Sequence, residues 1–245
     1  LTLYAAGGGT VDLNFRLDDP GNNVFTSFTK IGRGVVNYNG QTGSINGDVE
    51  QLNMSGGLLR LTNYQNAQGR RFDNGAMLVM AGGGIEMDAS GSIANEVAQY
   101  TGAAVAANTA STTPTPETIV AAGGTDVIVT SSASFSATMN IGSATIPLTR
   151  QTGGTVNFVE NTLNAGASIT LQGNNAQADD TAIAWATYGD TYTYNAGTAS
   201  YTVNALDFAM TTGGTGDLSA FSGASRENTD AVAAWGVGND VSEGP

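Results

Sequence analysis

One stretch constrains the fold of this chain more than any other: Ala6-Gly7-Gly8-Gly9-Thr10-Val11-Asp12-Leu13-Asn14-Phe15, a glycine turn that opens into strict apolar/polar alternation. Alternation with a period of two is the signature of a β-strand with one buried face. Near-copies stand at Met54–Leu61, Met80–Met87, Ala122–Val129 and Gln151–Phe158. The last glycines of the early turns, Gly9, Gly34, Gly57 and Gly84, are separated by 25, 23 and 27 residues. Repeats of that length mean stacked units, and a unit of short strands and glycine corners points to a solenoid whose coils add strands to parallel sheets. The spacing therefore predicts an all-β fold, a β-solenoid of about 25 residues per coil, with β-sandwich domains as the alternative.

Further strands are expected at Val35–Tyr38, Ser44–Asn46, Val49–Met54, Ala76–Met80 and Ser92–Ala94, punctuated by Asn39-Gly40, Asn46-Gly47 and Asn74-Gly75. Asn-Gly favours positive φ and so marks sharp corners. The period then breaks, because Gly84 and Gly124 are 40 residues apart. The excess lies in Thr101–Glu117, a Thr/Ala-rich run with Pro114 and Pro116 that reads as an excursion or linker. Asn95–Gln99 could start a short helix. The expected organisation is solenoid coils over 1–100, a loop or linker over 101–117, and further coils over 118–245, separate from or continuous with the first part. There, strands are expected at Thr118–Val129, Ala133–Ile141, Ala144–Leu148, Val156–Val159 and Ser168–Leu171, with Pro147 confined to an edge or corner. A second echo pairs Asp179–Trp185 with Thr229–Trp235, which places the only two tryptophans 50 residues apart. They read as anchors of equivalent core positions, or else as stacking platforms for sugars.

Charge excludes several classes of partner. The chain carries 21 acidic against 8 basic residues, a net −13, and Lys30 is its only lysine. Nucleic acid needs clustered Lys and Arg, and an anionic membrane surface needs a polybasic segment. No apolar run is long enough to span a bilayer as a helix. Cysteine is absent, which removes disulfides and thiolate metal sites. The chain opens at Leu1 without methionine or a signal pattern and is expected to be a processed product or a segment of something larger. Acidity with sparse charge fits a soluble extracellular or bacterial cell-surface protein.

The units GGGTVDLNF, GGTVNF and NAGASITLQG, with ATYGDTYTYNAG after Trp185, resemble passenger regions of bacterial autotransporter-type surface proteins. The pairing of an Ala-Trp-Ala-Thr-x-Gly turn with GGT-strand units is similar to the repeat-rich exoproteins of that group. The resemblance implies a right-handed parallel β-helix and, as function, adhesion, filament or surface-layer building, or polysaccharide degradation. The repeat departs from the pattern of that group in being degenerate.

Histidine is absent, which removes the Ser-His-Asp and Cys-His systems and histidine-ligated zinc. Neighbouring carboxylates such as Asp18-Asp19 and Asp179-Asp180 point to opposite faces of a strand and make no hydrolytic dyad by themselves. The expectation is a non-enzyme with no required cofactor. Calcium is the ion its oxygen ligands would suit, with Asp18, Asp19, Asp179, Asp180 and Asp240 as candidate ligands, although neither the EF-hand nor the nonapeptide spacing is present. Their other reading is solvated Asx turns. Lys30 could in principle form an intramolecular amide with an Asn or Asp.

Assembly remains. Leu1-Thr2-Leu3-Tyr4 reads as an edge strand without a polar cap, and such an edge templates association with other copies of the chain. The expected function is a structural protein that stacks head-to-tail into a filament or surface layer. The alternative is a carbohydrate- or host-binding adhesin, with Tyr188, Tyr192 and Tyr194 on one strand face, and Tyr201 nearby, binding surface glycans.

Overall fold

The protein is described by a computed structural model covering residues 1–14, 26–39, 49–62, 77–92, 95–100, 119–121, 123–142, 148–172, 182–212 and 216–221. Among these residues every element is a strand. The chain alternates between two long walls, each short strand being followed by a glycine corner and a second strand. The early coils are β1 (Thr2–Tyr4) and β2 (Thr10–Leu13), β3 (Thr26–Ile31) and β4 (Val35–Tyr38), then β5 (Val49–Ser55) and β6 (Leu58–Leu61). Next come β7 (Met77–Met80), β8 (Gly83–Asp88) and β9 (Glu96–Tyr100), followed by β10 (Ile119–Val120), β11 (Gly123–Thr130) and β12 (Ala137–Ile141). The last full coil has β13 (Thr149–Arg150), β14 (Gly154–Asn161) and β15 (Ala167–Leu171). After β16 (Ala182–Gly189) the chain makes a hairpin, β17 (Tyr192–Asn195) and β18 (Ser200–Val203), and finishes with β19 (Asp207–Thr212) and β20 (Asp217–Ala220).

Sheet A stacks β1-β3-β5-β7-β10-β13, and sheet B begins β2-β4-β6-β8-β11-β14-β16, all parallel to this point. This is the expected β-solenoid. Register confirms its early period: Thr10 stacks on Val35 and Val35 on Leu58, which superposes the corner glycines Gly9, Gly34 and Gly57. The next step differs by one residue, since Leu58 pairs with Gly84 and the corner partner of Gly57 is Gly83. Both walls run through from residues before 101 to residues after 118, because β7 pairs β10, β8 pairs β11 and β9 pairs β12. The short helix expected at Asn95–Gln99 is instead β9, which pairs in parallel with β12, itself paired with β15, to form a third wall.

Inside, like residues stack in columns. One runs Val11, Val36, Leu59, Ile85, Val127, Phe158 along sheet B, and every member after Val11 is 0% exposed. Each fully buried aliphatic or aromatic side chain in such a column contributes roughly 1.5–3 kcal/mol. The far end of sheet B is closed differently. β19 lies antiparallel against β16, β20 against β19, and Asp217 of β20 pairs antiparallel with Thr170 of β15. The sheet thereby turns the corner into the third wall, giving the order β16-β19-β20-β15-β12-β9.

Candidate functional site

Two regions of this frame stand out: the β1–β2 edge, which has no outer neighbour strand among the described residues, and a covered polar cluster on the outer face of sheet B. The edge is built from β1 and β2. Leu1 O accepts from Thr29 N, and Ala5 N donates to Ile31 O, so residues 1, 3 and 5 turn their peptide groups toward β3. Gly9 O and Leu13 O likewise accept from Val35 N and Asn39 N. Strand alternation then aims the peptide groups of Thr2, Tyr4, Thr10 and Asp12 away from the solenoid. The side chains agree. Leu3 and Val11 are only partly buried where their column neighbours Lys30 and Val36 are 0% exposed. Leu1 and Tyr4 remain 50% and 68% exposed. Among the described residues, the four residues expected at a self-association edge thus lie at the margin of sheet A, with β3 as their neighbouring strand.

The covered cluster begins with a break in alternation. Val35-Val36, Leu58-Leu59, Val127-Ile128 and Phe158-Val159 put an apolar residue on both faces of their strands. The inner ones join the core; Val35, Leu58, Ile128 and Val159 form a second cluster outside, capped by Tyr192, Ala199, Tyr194, Tyr201 and Val203 of the hairpin. In the neighbouring row the register brings Asp12, Asn37, Arg60 and Glu86 side by side. Arg60 Nε donates to Glu86 Oε2 at 2.6 Å and Nη2 to Asp88 Oδ2 at 2.6 Å. Tyr192 Oη donates to Glu86 Oε2 at 2.5 Å, the Tyr194 ring lies 3.9 Å from the guanidinium carbon of Arg60, and Tyr201 Oη donates to Asp126 Oδ2 at 2.7 Å. Burial pushes the Glu86 carboxyl up to about 7; Asp88 adds to this, while Arg60 and Tyr192 oppose it. Burial also raises the hydroxyls of Tyr192 and Tyr201, each reinforced by the carboxylate it bonds. A charged residue 1% exposed, with an ion pair and a hydroxyl donor, is a satisfied structural cluster that ties the hairpin to three coils.

The tyrosines chosen as a glycan face are divided by this arrangement. Tyr188 closes β16 and donates to Glu160 Oε2 at 2.8 Å, whereas Tyr192 and Tyr194 belong to β17. They do not share a strand because Asp190 and Thr191 intervene, with Asn204 bonding both residues at the base of the hairpin. Lys30 is also buried: Nζ donates to Ile31 O, Gly32 O and Gly56 O at 3.0, 2.8 and 2.9 Å, and burial lowers its pKa to about 8. These partners are backbone carbonyls, with which an amine forms no amide, and the contact to Gly56 joins adjacent corners.

The candidate calcium ligands Asp18, Asp19, Asp179, Asp180 and Asp240, like Trp235, lie outside the described residues. Among the described residues no group of three or more acidic side chains is placed to hold a metal ion, and no helix is long and apolar enough to cross a membrane. The outer cluster escaped the sequence reading, although the paired apolar residues in four strands were its signal: a strand buried on both faces reads as a run rather than an alternation. No protein-family model, curated protein or solved structure matches the chain.

Proposed function

We propose that this chain is a non-catalytic extracellular structural protein that associates with a second copy of itself through the β1–β2 edge. The carrying observation is that edge: four residues with outward peptide groups, beside core columns that stop half-covered at Leu3 and Val11. An edge of this kind is satisfied by another strand, and burying the exposed flanks of Leu3 and Val11 adds apolar stabilisation. The absence of histidine and the engagement of the buried carboxylates by Arg60, Tyr188, Tyr192 and Tyr201 favour scaffold over catalysis. The glycine-to-strand repeat and the low, acidic charge support this reading, in which the chain acts as the repeat-rich bacterial surface exoproteins it resembles do.

Head-to-tail growth of the whole cross-section needs an open edge at β16; among the described residues β19 fills that edge, and sheet A ends at the two-residue β13. The mode that suits both ends is pairing of two β1–β2 edges, an isologous contact that closes at the dimer. Sedimentation velocity over about a hundred-fold range of concentration tests this. A monomer–dimer equilibrium supports the proposal; strictly monomeric protein, or filaments by electron microscopy, overturns it.

A further inference from the structure

Beside the hairpin, the outer face of sheet B opens into a groove of about 510 Å3 crossing β11, β14, β16 and β19. Grooves of that size are typical of sites for small ligands. Register lays Asp126 next to Asn157 and Asn157 next to Thr187, and these form its polar side. Asp126 Oδ1 accepts from Asn157 Nδ2 at 3.3 Å and Oδ2 from Tyr201 Oη at 2.7 Å, while Asn157 Oδ1 accepts from Thr187 Oγ1 at 2.9 Å. The groups are therefore fixed by one another. Each of these oxygens has a second lone pair with which to accept from a ligand. Trp185, partly buried and packed against the inner core cluster, and the partly buried Phe208 both line the groove, and the floor is low because Gly124 carries no side chain.

Fixed oxygen acceptors beside an indole match a polyol: its hydroxyls donate to the oxygens and its C–H face lies on the ring. Charge narrows the class further. Among the described residues the lining includes Asp126 and neither Lys nor Arg, and the chain carries a net −13, so phosphate, sulfate and uronate groups are repelled. We infer that this groove is a binding site for a neutral saccharide, held between the Trp185 indole and the Asp126–Asn157–Thr187 row.

The experiment applies the whole chain to an array of neutral, sulfated and uronate-containing oligosaccharides, then titrates the strongest neutral binder by calorimetry. Gly124→Leu fills the floor. A Cβ there meets Thr155 Oγ1 at 3.5 Å, an ordinary contact, so the fold is kept, as an unchanged melting temperature would verify. Trp185→Phe keeps an aromatic side chain against the core and shrinks the platform. Retention of neutral saccharides, with affinity reduced at least about ten-fold in both variants, is the expected result. Absence of any neutral binder with the chain folded, preference for the anionic glycans, or undiminished binding by folded Gly124→Leu would overturn it.

Discussion

Tyr192 donates its hydroxyl hydrogen to Glu86 Oε2 at 2.5 Å, joining residues 106 apart in sequence and fastening the β17–β18 hairpin to the outer face of the solenoid. Replacing Tyr192 by Phe keeps the ring and removes the donor. Glu86 is then a buried acceptor short of one partner, which costs about 1–3 kcal/mol. Urea unfolding at neutral pH should register that loss, and a variant as stable as the parent would contradict the latch.

Arg60 serves two carboxylates through different nitrogens and lies against the Tyr194 ring. Arg60→Met leaves Glu86 and Asp88, 1% and 9% exposed, without their cation. Breaking a buried pair in this way costs about 3–5 kcal/mol. Arg60→Lys should recover only part of it, because an ammonium cannot span both carboxylates as the planar fork does. Full recovery by lysine, measured by denaturation, would argue that only the charge matters.

Burial pushes Glu160 up to about 7, with Asp217 adding and the Ile169 N–H and Tyr188 hydroxyl opposing; Glu86 is raised to about the same value. Between the unfolded value near 4.5 and about 7, the folded chain holds protons that the unfolded chain releases. These groups thus contribute stability that is fully present below pH 4.5 and is lost as pH rises through about 7. Thermal unfolding should occur at higher temperature at pH 5 than at pH 8. Glu160→Gln, neutral at both, should show a smaller difference; an unchanged pH slope would contradict the assignment.

Glycines at the corners separate strain from crowding. Gly57 has φ +65°, and a Cβ on it would lie 2.2 Å from Gly34 O and 2.6 Å from Lys30 Nζ. Gly8 has φ +74° but open space around it. Both alanine variants incur the left-handed penalty of roughly 1–2 kcal/mol. Only Gly57→Ala also drives coils apart, so its melting temperature should fall well below that of Gly8→Ala.

The repeat was legible in sequence because each corner needs glycine wherever backbones of successive coils touch. Gly9, Gly34 and Gly57 stack as their spacing requires. Gly84 deceived for a physical reason. It sits in the outer row where a Cβ would meet Tyr201 Oη at 2.8 Å, so it is glycine to admit the hairpin, while Gly83 makes the corner. The strands at Val35–Tyr38, Val49–Ser55 and Met77–Met80 fall where the short segments between the glycine units and Asn-Gly corners placed them. The antiparallel closure by β19 and β20 had no local signature, since one strand reads alike whether its neighbour runs parallel or antiparallel. The tyrosine–carboxylate bonds depend on contacts between residues 28, 75 and 106 positions apart, which spacing along the chain does not encode.

The central claim concerns the β1–β2 edge, and Thr10→Pro tests it most directly. Thr10 aims its N–H away from β4, so proline there removes an outward donor while sparing the ladder to Val35 and Val36. Sedimentation equilibrium of the parent and of Thr10→Pro, with thermal unfolding to verify that both are folded, is the decisive comparison. The account predicts a parent dimer whose dissociation constant rises at least about ten-fold in the variant. Equal association by the two proteins, or a parent that stays monomeric at every concentration, would contradict it.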